Sequence, residues 1–425
     1  MRENQILIKE GIKAHFIKTD LFKTNLIYVM LTTKLERETV TKNALIPFLL
    51  RRGTNNLKTQ SELNKKFEEM YGATFDCGID KIGDNQALKF FIETINDKYT
   101  LSQENLLEES LDVLFDIVFN PLMKDGKFNE EYLKIEKENL KKVIEAKIDN
   151  KALYALDRCI ENMYEDKGFG LYKYGYLEDV DKIDNNSISS QYKTFINNAK
   201  IDIFISGNFD ELKIQKFIEN KLNNISPRKE DIIINNFSTE NKQKVENVKE
   251  IQEEMNITQG KLVIGLDVLN PNKDIQNAVT IYNAILGGSA NSFLFQNVRE
   301  KAGLAYTARS NYNKMKSNIF ISCGIEIPNY EKAVNIIKEQ LENLKIGNFS
   351  EDDLLNAKRF IIAGIKTIEA EQDTEIVFYI GQEIAKQRVS IDEYITSIEG
   401  ITREDVIEAA QNIQINTIFF LKGEA

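Results

Sequence analysis

The side chains best placed for chemistry are a guanidinium and a phenol seven residues apart, Arg299 and Tyr306, in the run Phe293-Leu294-Phe295-Gln296-Asn297-Val298-Arg299-Glu300-Lys301-Ala302-Gly303-Leu304-Ala305-Tyr306. Both groups donate hydrogen bonds. Together they can hold a peptide carbonyl and the oxyanion that forms when water attacks it. The plainer alternative is an arginine paired with an acidic neighbour and a tyrosine that packs.

Histidine chemistry is nearly closed off, because the chain has one histidine, His15. No site that needs two imidazoles can be built from it. A Ser-His-Asp or Cys-His arrangement would have to recruit His15 from an alternating strand pattern with no nucleophile signature nearby, so it reads as structural, either satisfied or exposed. The run Gly287-Gly288-Ser289-Ala290-Asn291-Ser292 lacks the lysine of a phosphate-binding loop and reads as a glycine helix terminus followed by a capping Ser or Asn. Cys77, Cys159 and Cys323 are odd in number and widely spaced, which implies small core residues in a reducing compartment.

The elements that must position these residues follow from length and pattern. With 425 residues, two domains are expected. An apolar fraction of 42% with 28% charged residues is that of an ordinary globular protein. The 55 basic and 66 acidic residues give a net charge of −11, which opposes a phosphate backbone, and Lys65-Lys66 and Lys141-Lys142 are interleaved with Glu as on solvated helix faces. No nucleic acid is expected as a partner. No segment approaches the ~18 apolar residues of a membrane span, and the N-terminus enters an alternating pattern instead of a signal peptide. A cytoplasmic protein with no membrane contact is expected.

Alternation predicts strands through the first thirty residues, then a helix over 39–52 ended by Gly53-Thr54, with Ala44, Leu45, Phe48 and Leu49 on one face. A helix over 61–71 capped by Ser61, strands at 74–79 and 85–93, a helix over 105–119, and a long helical run over 129–150 follow. A strand at 201–208 and a helix begun by Asp210 close this part. The polar stretch 226–258 reads as a connector in which Ile232-Ile233-Ile234 could add an edge strand. The order then restarts with a strand at 261–266, a helix over 274–286, the glycine turn, a helix over 291–301 and a strand at 306–310. Superposing Gly53 on Gly288 aligns the two series at an offset of 235 residues, which indicates an internal duplication. The domains are drawn as 1–225 and 259–425, the second carrying Arg299 and Tyr306.

The run 293–306 resembles the C-terminal signature of the pitrilysin-type (M16) zinc peptidases, roughly LFQxxREKxGLAY. In that family the matching arginine and tyrosine contact the substrate backbone at the scissile bond, a role the resemblance passes to Arg299 and Tyr306. The fold it implies is α+β, with two duplicated M16/LuxS-like metallohydrolase-type α/β sandwich domains forming one half of a clamshell. Catalytic members carry HxxEH on a helix, with two imidazoles holding zinc and the glutamate activating water. Aligned on Gly53-Thr54, those positions fall at Ala44, Pro47 and Phe48. A methyl, a pyrrolidine and a phenyl ring neither ligate metal nor move a proton. Glu138 and Glu145 match the family's two downstream glutamates and read as remnant carboxylates, since one carboxylate without two histidines is no zinc site and seven-residue spacing is common to any helix face. The stretch from Leu31-Thr32-Thr33 to Tyr71-Gly72-Ala73 looks like the non-catalytic, YmfF-like branch of the family.

The resemblance therefore implies an inactive subunit with no cofactor of its own. It would pair as a heterodimer with a separate M16 paralogue that bears HxxEH and the zinc, and would place Arg299 and Tyr306 on a peptide substrate in a shared chamber. The alternative is a structural or peptide-holding protein, as a homodimer or on its own, with no role in hydrolysis. An autonomous zinc peptidase is not expected.

Overall fold

The computed structural model describes residues 2–102, 104–165, 167–229 and 242–423. The first stretch of chain supplies β1 (Glu3–Lys9), β2 (Ile12–Lys18), β3 (Thr24–Lys34), α1 (Val40–Leu50), α2 (Gln60–Glu69), β4 (Thr74–Ile82), β5 (Asn85–Ile95) and α3 (Leu106–Phe119). It continues with a short hairpin of β6 (Met123–Lys124) and β7 (Lys127–Phe128), then α4 (Glu130–Glu145), α5 (Lys151–Tyr164), α6 (Leu177–Val180), α7 (Asn185–Asn198), β8 (Lys200–Gly207) and α8 (Glu211–Lys221). The second stretch supplies β9 (Lys249–Glu254), β10 (Gly260–Val268), α9 (Lys273–Asn283), β11 (Ala305–Asn313), β12 (Asn318–Ile325), α10 (Tyr330–Lys345) and α11 (Glu351–Lys366). It ends with α12 (Gln372–Ala385), α13 (Ile391–Glu399), α14 (Arg403–Gln411) and β13 (Ile413–Lys422).

The strands form two main sheets, in the orders β1-β2-β8-β3-β5-β4 and β11-β12-β10-β13-β9. Started from β4 and from β11, the orders coincide strand for strand, with β1 as an addition to the first. Directions coincide as well. β3 runs antiparallel to β5 and β8 while β8 is parallel to β2, just as β10 runs antiparallel to β12 and β13 while β13 is parallel to β9. The duplication expected from the order of elements is thus present in the sheet topology.

The chain divides into two units: residues 1–146 with 171–234 and 369–384, and residues 147–170 with 235–368 and 385–425. Each unit includes one helix from the other stretch of chain. In the first, Ile27, Val29 and Leu31 on β3 pack with Ala14, Phe16, Ile203 and Ile205 on the helix-covered face of the sheet. Leu26, Tyr28 and Met30 on the other face are buried too, so β3 lacks the polar alternation of a half-solvated strand. On that face Gln372 of α12 donates from Nε2 to the Ser206 carbonyl at 2.9 Å and the Thr24 carbonyl at 3.2 Å, and Tyr28 donates its hydroxyl to Asp373. In the second unit α5 plays the matching part, with Ala155, Cys159 and Ile160 packed on Val263, Phe320 and Phe419. A Cβ at Gly265 would run into Met163 Sδ, so glycine is what lets this helix lie so close to β10.

Several local expectations change. Helix α2 is capped by Thr59, whose Oγ1 accepts from Glu62 N at 3.1 Å, instead of by Ser61. The run over 129–150 ends as α-helix at Glu145 and passes through a 3-10 turn to Asn150, which caps α5. The predicted helices over 274–286 and 291–301 finish in π-wound turns, Ala284–Gly288 and Phe295–Lys301. Within the stretch read as a connector, Lys249–Glu254 forms β9, parallel to β13; residues 230–241, including Ile232-Ile233-Ile234, lie outside the described residues. Cys159 and Cys323 are core residues, whereas Cys77 is only half-buried on β4. His15 is fully buried and satisfied, with Nδ1 2.7 Å from Glu3 Oε1, Nε2 3.2 Å from Asp202 Oδ1 and the ring stacked on Phe204.

Candidate functional site

Two places answer to the sequence expectations, one in each unit. In the first, α1 is apolar nearly all round, because it is wedged between the sheet and the helices α4 and α7. Ala44 is completely buried, Pro47 is buried, and Phe48 packs half-buried on the same core. The Pro47 carbonyl accepts from Arg51 N at 3.2 Å and lies 3.6 Å from Cys77 Sγ. Burial pushes the Cys77 thiol up to about 12. A proline here removes the bond its N–H would make to the Asn43 carbonyl, a loss of about 3 kcal/mol in a helix interior. The Asn43 side chain is held separately, donating to Gln86 at 3.1 Å and accepting from Gln191 at 2.8 Å.

The carboxylate that meets the end of α1 is one that sequence reasoning missed. Helix α4 buries Leu133, Glu136 and Leu140 on one face, and Glu136 pairs there with Arg52, the second residue after α1. The Arg52 guanidinium also stands 5.6 Å from the Tyr132 ring centre, and Asn139 donates to Glu136 Oε2 at 3.0 Å. Glu138 and Glu145 are exposed. Glu138 accepts from Lys141 at 3.0 Å, and Glu145 is the last residue of the helix. The available signal was position: Glu136 sits in the apolar stripe, three residues after Leu133 and four before Leu140, where a charge must be paired to be tolerated.

This place does not suit a zinc ion. Its three side chains from α1 carry no donor atom, and its one buried carboxylate is already matched by a guanidinium. Among the described residues no group of three or more His, Cys, Asp or Glu side chains could hold a metal.

The second place is the edge of the five-stranded sheet. Ala305 pairs with Ile325 and Thr307 with Gly324, its neighbour on β12, so Tyr306 is an extra residue without a cross-strand partner. Such a bulge re-aims its side chain out of the ladder. Tyr306 is 73% exposed, and its hydroxyl makes no hydrogen bond among the described residues. Arg299 lies in the last turn of the π-wound segment, stacked 4.5 Å from the Phe295 ring centre, with Nε 3.5 Å from Glu300 Oε1 and the side chain 43% exposed. The glycine run has a packing role beyond ending a helix, since a Cβ at Gly287 would stand 2.6 Å from Ser310 N of β11.

The two edges of this sheet differ in chemistry. β9 carries Lys249, Glu250, Glu253 and Glu254 in six residues, a density of charge that discourages pairing with another strand. β11 has one charged residue in nine, Arg309. Among the described residues β11 pairs only with β12, so the N–H and C=O groups along its other side face no strand, and a guanidinium and a phenol stand before and at its start.

Known proteins resemble this chain over most of its length. The family described as "Peptidase M16 inactive domain" matches residues 182–361. The chain is 35% identical to the "Probable inactive metalloprotease YmfF" of Bacillus subtilis, over 97% of this chain and 96% of that protein. To an uncharacterized zinc protease of Streptomyces coelicolor it is 20% identical over 74% of this chain and 70% of that one. Among solved structures, a conserved protein from Enterococcus faecalis V583 superposes with a TM-score of 0.90 at 26% identity, covering 100% of this chain and 99% of that one. A peptidase M16 inactive domain from Pseudomonas fluorescens, 17% identical over 100% of this chain and 99% of its own, shares the fold with a TM-score of 0.79.

Proposed function

Since the chain belongs to the M16 peptidase family, as an inactive metallopeptidase homologue, we propose that it is the non-catalytic subunit of a two-chain peptidase. Its partner is a paralogue that carries HxxEH and the zinc. The observation that supports this most directly is Tyr306 standing as an exposed bulge at the start of an unprotected edge strand, with Arg299 exposed just before it. An extended peptide adds to β11, and the guanidinium and hydroxyl donate to the carbonyl of the bond to be cleaved, where a zinc held by the partner would supply the Lewis acid. This chain contributes binding and orientation; the proton transfers and the Lewis acid belong to the partner. The burial of Ala44 and Pro47 and the Arg52–Glu136 pair fit a chain that has no use for metal. The setting is cytoplasmic, where the three free cysteines stay reduced. Among the described residues no helix is long and apolar enough to cross a membrane.

The test is a native-tag pull-down with mass spectrometry and light scattering of the eluate. The expected result is a near-equimolar second chain with an intact HxxEH, whose kcat/KM falls about 100-fold with Arg299→Ala, the scale of losing one preorganised donor. Tyr306→Phe lowers it less. A homo-oligomer without such a companion, or unchanged turnover in both variants, would replace this reading with the structural or peptide-holding one.

A further inference from the structure

Around β11 the charge of the chain changes sign. Residues 287–325 hold five basic side chains, Arg299, Lys301, Arg309, Lys314 and Lys316, against one acid, Glu300, in a chain whose net charge is −11. Two of the five are engaged inside the unit: Lys316 is buried, and Lys314 donates to the Tyr394 hydroxyl. Arg299, Lys301 and Arg309 are exposed. Arg309 has no carboxylate partner among the described residues. Alternation after the bulge puts Thr307, Arg309 and Asn311 on the exposed side of β11, with Ala308 and Ser310 toward the core. Across from Arg309 on β12 is Ser322, and across from Thr307 is Gly324. Neither neighbour is long enough or charged enough to occupy the guanidinium.

We infer that the peptide received by β11 is acidic, with an Asp or Glu side chain set against Arg309 and further negative charge toward Arg299 and Lys301. This rests on the peptide-contact reading above and adds the substrate class to it. A strand laid on β11 turns every second side chain to the face that carries Arg309. There a carboxylate meets a planar fork of N–H donors at the spacing of cross-strand neighbours. The same cations do not make a nucleic-acid track. Three exposed charges on a strongly acidic chain neutralise little phosphate, whereas the free edge presents main-chain donors and acceptors at strand spacing. Solvent-exposed charge pairs are weak, so each carboxylate adds about fivefold in affinity at low salt.

The experiment is fluorescence anisotropy of the full chain with three labelled peptides matching the nine residues of β11 in length. The peptides share one β-prone frame and carry Glu, Gln or Lys at alternate positions, and a single-stranded oligonucleotide is measured alongside. The Glu peptide is expected to bind about fivefold more tightly than the Gln peptide and the Lys peptide most weakly. The difference shrinks at about 0.5 M salt. Arg309→Glu inverts the order and leaves the Gln peptide within about twofold; Arg309→Gln flattens it. Equal affinities, or a preference for Glu that survives Arg309→Glu, overturn the acidic assignment and leave the edge reading standing. No binding of any peptide refutes the edge reading and this inference together. Oligonucleotide binding tighter than that of the Glu peptide, and lost in Arg309→Glu, overturns the inference in favour of a phosphate backbone.

Discussion

Glu383 Oε1 stands 2.5 Å from Lys200 Nζ, joining a helix and a strand that lie 183 residues apart in sequence. Lys13 approaches the same oxygen at 2.9 Å, and Lys200 reaches Asp202 at 2.9 Å, which in turn faces His15. Burial opposes the charge on Lys200, but the carboxylates of Asp202 and Glu383 outweigh it and hold the ammonium above its usual range. Burial likewise opposes the Asp202 charge, and Lys200 and His15 overcome it, bringing Asp202 down to about 2. Removing one member of such a buried group leaves the others uncompensated, at about 3–5 kcal/mol. Glu383→Ala is expected to destabilise the chain on that scale and to speed hydrogen exchange through residues 372–384. Unchanged protection of that helix would show that the ion pairs do not hold it.

Glu375, on the same helix, predicts the opposite pH response. Its carboxyl is fully buried, and neither oxygen has a hydrogen-bond partner among the described residues. Burial raises it to about 7, with Arg2 pulling down and Glu369 pushing up. A carboxyl raised in the folded state stabilises most below its unfolded value of about 4.3, and that stability is lost as pH rises through about 7. Glu375→Gln should therefore leave the melting temperature unchanged near pH 4.5 and raise it by about 2–4 °C near pH 8. Asp202, depressed in the folded state, works the other way: its contribution is present above about pH 4 and lost as pH falls toward 2. A melting curve for Glu375→Gln that keeps the wild-type slope between these limits would remove Glu375 as its cause.

The Arg52–Glu136 pair yields a double-mutant test. Either Arg52→Met or Glu136→Leu alone should cost about 3–5 kcal/mol in urea unfolding, because each leaves a partner unmatched. Arg52→Met combined with Glu136→Leu should recover most of that loss, as apolar groups of similar volume suit the space beside Leu133 and Leu140. Additive losses in the double variant would mean that the two residues act separately.

Restoring the zinc motif should fail. Ala44 is fully buried, so Ala44→His overpacks the core by about 1–3 kcal/mol, while Glu138 and Glu145 remain exposed elsewhere on α4. The triple variant Ala44→His, Pro47→Glu, Phe48→His is expected to melt lower than the parent and to take up no stoichiometric zinc by calorimetry. One tightly bound zinc per chain would mean that Glu138 or Glu145 can turn toward α1, or that Glu136 leaves Arg52 to hold the metal.

The residues alone determined a good deal. Alternating and helical periods located β1 to β5, α1 to α4, β8, β10 and β11 to within a few positions but predict neither α5, α7 nor any element after β11; the repeated order of strand, helix, glycine turn, helix and strand exposed the duplication, and the strand expected from Tyr306 matches the start of β11. The single histidine ruled out a site of two imidazoles. Tertiary structure alone decided which faces meet. The pattern predicts neither α12 nor α5, and nothing local says that α12 lies on β3 and β8, or that α5 lies on β10 and β13. In α4 the choice of Glu136 over Glu138 and Glu145 depends on how the helix is turned toward α1, and the exposure of Tyr306 depends on one unpaired residue in the register of β11. Periodicity records which side of an element avoids water. The partner that covers that side is set by chain closure and packing across distances that no local pattern encodes.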